Sequence, residues 1–299
     1  MILTREQFQQ EQLAGVPPAV EGVLDGQVVV ITGANTGLGF EAAKHFAILC
    51  HRVQDEKKDR KALNRIKTET GFQNVELWIV DLNSFESIVA IKDKINQLKR
   101  LDVLVENAVG TTIPGNCEEI SQDHSPNVSV LSDGHYWASI PLTEALDAPN
   151  SLEFLNDKSY FDRNVEYHEA KTLDVMFIRA LQQHLPDVAT CSVNPAFCYI
   201  ELGRDAEGHC AEHLQGMRAK LAFTTEEGSR QLLFAAIGRR DQEAEVRGSY
   251  LSFSWVSECS DLILSDDGQK LEQKLWTEIL EVLGKVDGTA EEIIQRYLS

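Results

Sequence analysis

The sequence predicts an α/β fold, a single domain built on a doubly wound parallel sheet. Three observations carry that prediction. Short apolar runs of strand character alternate with amphipathic helical stretches along most of the 299 residues, as repeated β-α-β units require. One such run, Val28-Val29-Val30-Ile31, feeds directly into Thr32-Gly33-Ala34-Asn35-Thr36-Gly37-Leu38-Gly39, and a helical pattern opens behind it (Phe40, Ala43, Ala47). No internal repeat, low-complexity tract or linker divides the chain. Its 43% hydrophobic and 25% charged residues suit a globular protein with a sizeable core.

Taken in order, residues 4–14 form a short helix that Pro17 and Pro18 stop, so 1–24 reads as an N-terminal extension and 25–299 as the domain. The first strand is Val28–Ile31, followed by the glycine turn and a helix to about Leu49. A second strand should come next, but 48–53 barely holds one before a charged helix (Asp55 to Thr70), so this strand is expected to be shortened or missing. Val75 to Leu82 reads as a strand with Asp81 near its end. Ser84 caps a helix over 85–98, with Ile88, Ile91, Ile95 and Leu98 at helical spacing. Leu101–Val105 is a buried strand ending in Glu106-Asn107-Ala108. The rhythm then calls for a helix, yet residues 109–126 carry Gly110, Pro114, Gly115 and Pro126 and no apolar stripe; that helix is expected to be missing too. Val128–Ser132 resumes as a strand. A helix covers about 162–185 (Val175, Ile178, Leu181), and Ala189–Val193 is a strand running into Asn194-Pro195. Thr224 or Thr225 caps a helix to Ile237. Tyr250–Phe253 is a last strand, and 264–298 forms one or two amphipathic helices.

Bulk charge narrows the function. A formal net charge of −19, from 47 acidic and 28 basic residues, repels nucleic-acid backbones and anionic membrane surfaces. Six cysteines without a C-x-x-C pair and eight dispersed histidines offer no disulfide framework and no metal cluster, so the cysteines read as reduced thiols. The first residues are polar, unlike a secretory signal, and no apolar run approaches the length of a membrane span. A cytoplasmic location is the expectation.

Two constellations carry chemistry. A buried strand, a glycine-rich turn and a helix N-terminus make a pocket for a pyrophosphate: Gly33 allows the turn, and Gly37 and Gly39 allow close approach of a ligand. The alternative is a plain turn between core elements. Tyr167 and Lys171, four apart, share one helix face. An ammonium beside a phenol lowers its pKa, which suits it to proton transfer at a substrate oxygen. Ser132, at a strand's C-terminal end, can hydrogen-bond the same oxygen, and Asn107 falls at a neighbouring strand end. Alone, Tyr-x-x-x-Lys is more often a solvated surface pair, and a strand-end serine is more often a cap or a turn residue.

Together, and in this order, these motifs resemble the short-chain dehydrogenase/reductase family. The likeness is greatest to its retinol dehydrogenase-like and WW-domain oxidoreductase-like branch, which includes fungal enzymes of small-molecule metabolism. The resemblance rests on residues 32–39, Asp81-Leu82, Glu106-Asn107-Ala108, Val130-Leu131-Ser132, Tyr167-His168-Glu169-Ala170-Lys171 and Val193-Asn194-Pro195-Ala196-Phe197. It implies a Rossmann-like sheet and a hydride moved between a nicotinamide and a carbonyl or alcohol of a small lipophilic substrate. Tyr167 would be the general acid/base, Lys171 its activator and a ribose ligand, and Ser132 the polarising hydroxyl. Gly33, Asn35, Gly37, Leu38, Gly39, Asp81, Asn107, Cys198 and Ile200 would line the cofactor. NADP is implied, with NAD possible; Arg52 is placed to meet a 2′-phosphate or to be a solvated charge. A homodimer is implied as well. The chain departs from the family at the short second strand, at Val109 after Asn107-Ala108, at the missing helix with its asparagine, and at Pro195-Ala196 with Ile200. These departures leave a second reading open, a catalytically impaired dinucleotide-binding or interaction protein.

Overall fold

The computed structural model of the chain describes residues 3–49, 60–108, 126–157, 166–200, 208–286, 292 and 295–296. Arg52 and the segment after Ala108 where the missing helix was expected lie outside the described residues, as does most of the shortened strand.

The first helix, α1 (Arg5–Ala14), opens with a capping box: the Thr4 hydroxyl accepts from the Gln7 amide, and the Gln7 side chain accepts from the Thr4 amide. Strand β1 (Val29–Ile31) leads through the glycine turn into α2 (Gly37–Leu49). Next come α3 (Arg60–Thr70), α4 (Phe85–Ile95), β2 (Val103–Glu106) and β3 (Asn127–Val130). A 3-10 turn over Asp133–Trp137 and the short helices α5 (Leu142–Asp147) and α6 (Ser151–Leu155) precede the long α7 (Glu166–His184). The chain continues with β4 (Thr190–Asn194), α8 (Gly208–Leu221), α9 (Thr225–Ile237), α10 (Glu243–Val246), β5 (Tyr250–Ser252), β6 (Trp255–Ser257), α11 (Asp261–Leu264) and α12 (Asp266–Gly284).

Among the described residues these strands form one six-stranded sheet in the order β1-β2-β3-β4-β5-β6. The first five are parallel; β6 returns antiparallel from β5 through Phe253 and Ser254, both at positive φ. Alternation along the strands sends Val103, Val105, Val128, Cys191, Val193 and Leu251 to one face, where they pack on α2 and α9. On the other face Leu131 and Tyr250 meet α7 and α12, and Val28, Val30 and Leu104 meet α4. Helices therefore cover both faces, as an all-parallel core demands.

The stretch 75–82 differs from expectation. It pairs with no strand among the described residues: Trp78 and Val80 pack on α4, and Ile79 is 75% exposed. Strand-like composition did not suffice, because a strand exists only where a partner edge accepts it. On the neighbouring strands β2 and β3, Glu106 and Ser129 stand opposite each other in register, and the Ser129 hydroxyl donates to Glu106 Oε2 at 2.6 Å.

Candidate active site

The glycine turn is braced from β2. Thr32 N donates to the Val105 carbonyl at 2.9 Å, and the Thr32 hydroxyl accepts from the amides of Asn107 and Ala108, each at 3.0 Å. Asn107 Nδ2 donates to the Thr32 carbonyl at 3.1 Å. Gly33 and Gly37 have φ of 66° and 60°, the left-handed region open to glycine. A Cβ on Gly37 would meet nothing within 4 Å, so the turn is open beside it, whereas one on Gly39 would lie 2.5 Å from Asn107 Nδ2 and from the Gly33 carbonyl oxygen. Asn35 is exposed at the tip of the turn. The first amides of α2 have no intrahelical acceptor and face this opening, which suits an anion.

Ser132 lies two residues past the end of β3. Its extended backbone caps the 3-10 turn, and its hydroxyl accepts from the Gly134 amide at 3.1 Å. Gly134 also packs against α7: a Cβ there would lie 3.2 Å from Cε1 of Tyr167 and 3.0 Å from Nδ1 of His168. The first turn of α7 thus lays the Tyr167 ring on the loop that Ser132 caps. Lys171, one turn on, is 6% exposed, and its Nζ donates to Asp174 Oδ2 at 2.9 Å.

Behind Ser132 the site is held by a buried polar network. Asp133 accepts from the Tyr250 hydroxyl and from Asn194 Nδ2, both at 2.7 Å. Burial pushes its carboxyl up to about 6, even though those two hydrogen bonds pull the other way. His135 is fully buried, and burial lowers it to about 4, so it is neutral. Its Nδ1 lies 2.9 Å from the Ser132 carbonyl oxygen and donates to it.

Asn194 leads into the loop of Pro195 to Ile200, where Ala196 adopts φ 66°. Cys198 bridges to Phe223, and its thiol donates to the Pro195 carbonyl at 3.1 Å; burial holds that thiol up at about 12. Leu38 and Cys198 meet at Gly228 of α9, where a Cβ would be 2.8 Å from Leu38 Cδ2 and would overlap the Cys198 sulfur. Both side chains are buried in this packing. The Ile200 carbonyl accepts from Arg218 at 2.8 Å.

The structure therefore brings the sequence-assigned residues together in three groups. Gly33, Gly39 and Asn107 form one, Ser132 and Tyr167 meet through Gly134 in another, and Leu38 joins Cys198 in the third. Asp81 stands apart. It is exposed, and its hydrogen bonds are with Asn83, Ser84 and Ser87 at the start of α4. Sequence reasoning missed Gly134, His168 and the inward face of α1. A glycine two residues after Ser132 was the one signal available for the first of these.

The family model for short chain dehydrogenase matches residues 27–132. A short chain dehydrogenase of Emericella nidulans, atnD, is 30% identical over 82% of this chain and 89% of its own length. The short chain dehydrogenase/reductase dmxR8 of Cryptosporiopsis is 26% identical over 93% of this chain and 97% of its own. Among solved structures, L-sorbose reductase from Gluconobacter frateurii, complexed with NADPH and L-sorbose, shares the fold. Its TM-score is 0.52 at 17% identity, covering 78% of this chain and 97% of that one.

Proposed function

This chain belongs to the short-chain dehydrogenase/reductase family, and we propose that it moves a hydride between NADP and a carbonyl or secondary alcohol of a small lipophilic molecule, in fungal secondary metabolism. The observation that carries the proposal is the meeting of Tyr167 with the Ser132 turn at Gly134, at the C-terminal ends of the parallel strands. Open backbone beside Gly37 and the first amides of α2 fit the pyrophosphate of the dinucleotide, whose nicotinamide supplies or takes the hydride when bound.

The rest of the chemistry belongs to the chain. In the reducing direction the Tyr167 phenol donates its proton to the oxygen that becomes the alcohol, and in the oxidising direction it takes that proton back. The Ser132 hydroxyl already accepts from Gly134, so its own proton is available to donate to the same oxygen. That donor is in place before the charge develops, which is when it stabilises most. The buried ammonium of Lys171 stands one turn from Tyr167 on the same helix face. A homodimer is part of this reading.

The test is a fluorescence titration with NADPH, followed by NADPH oxidation with a panel of ketones. Absence of binding at ~1 mM cofactor, the upper end of ordinary KM values, sinks the proposal. Replacing Tyr167 by Phe should cut turnover by at least about 100-fold with cofactor affinity retained. One observation favours a second reading, a cofactor binder without turnover: Lys171 is tied to Asp174, whose charge offsets the ammonium. Unchanged turnover or phenotype in Tyr167→Phe would select that reading.

A further inference from the structure

We propose that α1 forms a wall of the substrate site and that, with the rings of Phe8, Trp137 and Phe197, it selects a flat aromatic alcohol or ketone. This rests on the reading above for the position of the reacting oxygen.

The helix does not lie apart from the sheet. Phe8, Glu11 and Gln12, at i, i+3 and i+4, share its inward face. The Phe8 ring stands 5.5 Å from that of Trp137 and 6.3 Å from that of Phe197, both nearly edge to face. Trp137 ends the 3-10 turn that Ser132 begins, and Phe197 lies in the loop after β4, so one side chain of α1 spans both. From Trp137 the ring contacts continue to His168 at 5.7 Å and from His168 to Tyr167 at 5.7 Å. The rings thus run from the proposed proton donor to the loop after β4.

Two further contacts seat the helix. Trp137 Nε1 donates to the Leu3 carbonyl at 2.8 Å, and Leu3 is buried. The buried Gln12 amide, oriented to satisfy both ends, donates to the Leu221 carbonyl at 3.3 Å and accepts from the Phe197 amide at 3.1 Å. Glu11 lies close enough to the Ser132 turn for its charge to raise Asp133 and Tyr136.

The packing is incomplete in one respect. Phe8, Trp137, His168 and Phe197 each remain partly exposed, unlike Leu3 and Gln12 beside them. Rings with free edges and faces offer offset and edge-to-face contacts to another ring, a geometry that an aliphatic chain does not match. Burial shifts His168 down, and its Nδ1 is buried without a hydrogen-bond partner at this end of the wall.

The probe is 2-acetylnaphthalene, followed by quenching of tryptophan emission in the full chain. Saturable quenching is expected in the wild type and its loss in Trp137→Phe. Phe8→Ala and the volume-keeping Phe8→Leu should each weaken binding about tenfold, and Phe8→Tyr about threefold or less, with NADPH affinity unchanged. Phe8→Leu covers the case in which Phe8→Ala fails to fold. Affinity in Phe8→Leu equal to wild type, or quenching that persists in Trp137→Phe, overturns the inference. Turnover of cyclohexanone without binding of the aromatic probe also overturns it while leaving the oxidoreductase reading intact. Tight probe binding with no oxidation of NADPH by any ketone supports the wall and removes that reading instead.

Discussion

The amide of Asn107 occupies the space a side chain on Gly39 would need, with Nδ2 2.5 Å from the position of a Cβ there. That amide is not free to yield, because it donates to the Thr32 carbonyl, and the Gly33 carbonyl oxygen lies equally close. Gly39→Ala should therefore cost about 1–3 kcal/mol by overpacking. Urea denaturation would show it, and NADPH titration should show weakened binding. Adding Asn107→Ala should restore only part of the loss, since the Gly33 carbonyl remains; full recovery in the double variant would contradict this account.

Gly228 makes a comparable junction between α9, Leu38 and Cys198. In an ordinary helix interior Ala would be better than Gly by up to about 1 kcal/mol. Here the added methyl meets the Cys198 sulfur, Leu38 and the Pro195 carbonyl oxygen, so Gly228→Ala should destabilise by about 1–3 kcal/mol. The added Cys198→Ala should recover most of it, and an unchanged urea midpoint in the single variant would contradict the packing.

Asp133 links stability to pH. Its carboxyl titrates near 6 in the folded chain against 3.8 ordinarily, so the folded state holds the proton more tightly. Its contribution is greatest at about pH 4 and below, and it is lost as pH rises through 6. Between pH 5 and 7.5 the wild type should lose about 1–2 kcal/mol relative to Asp133→Asn, which has no such proton. Urea midpoints of both proteins at the two pH values measure this. Parallel behaviour would mean that Asp133 is not the buried acid described.

Lys171 and Asp174 give a test of the proton-transfer reading. Asp174 is 49% exposed on its side chain, so its pairing with Lys171 is screened and worth about 0.2–1 kcal/mol. Asp174→Asn leaves the ammonium unopposed, one turn from Tyr167, and should raise turnover by up to about fivefold. A fall in turnover would show that Asp174 supports the site rather than opposing it.

The helices expected from periodicity and caps, α1, α2, α4, α7, α9 and α12, were legible to within a few residues, whereas α5, α6, α8, α10 and α11 were not foreseen. Thr224 and Glu227 form the capping box that begins α9, and Ser84 accepts from the Ser87 amide to begin α4. Such signals are local, because the groups that satisfy one another lie three residues apart. The buried strands β1 to β5 were legible for a related reason: each is short, apolar and bounded by turn residues.

The stretch 75–82 has the same composition and pairs with no strand among the described residues, and composition does not report whether a neighbouring edge receives it. Among the candidate site residues, the glycine turn, Ser132, Tyr167 and Lys171 could be read from type and spacing. The contact of Tyr167 with Gly134 could not, since two elements must fold onto each other to make it.

By itself, then, the sequence determined the α/β class and the glycine turn that opens α2, and it singled out the candidate residues for proton transfer. Tertiary structure alone decided that Tyr250 and Asn194 converge on Asp133, across separations of 117 and 61 residues. It also decided that α1 lies over Trp137 and Phe197. Periodicity and capping are written in residues a few positions apart, whereas these contacts join residues that only the closed fold makes neighbours.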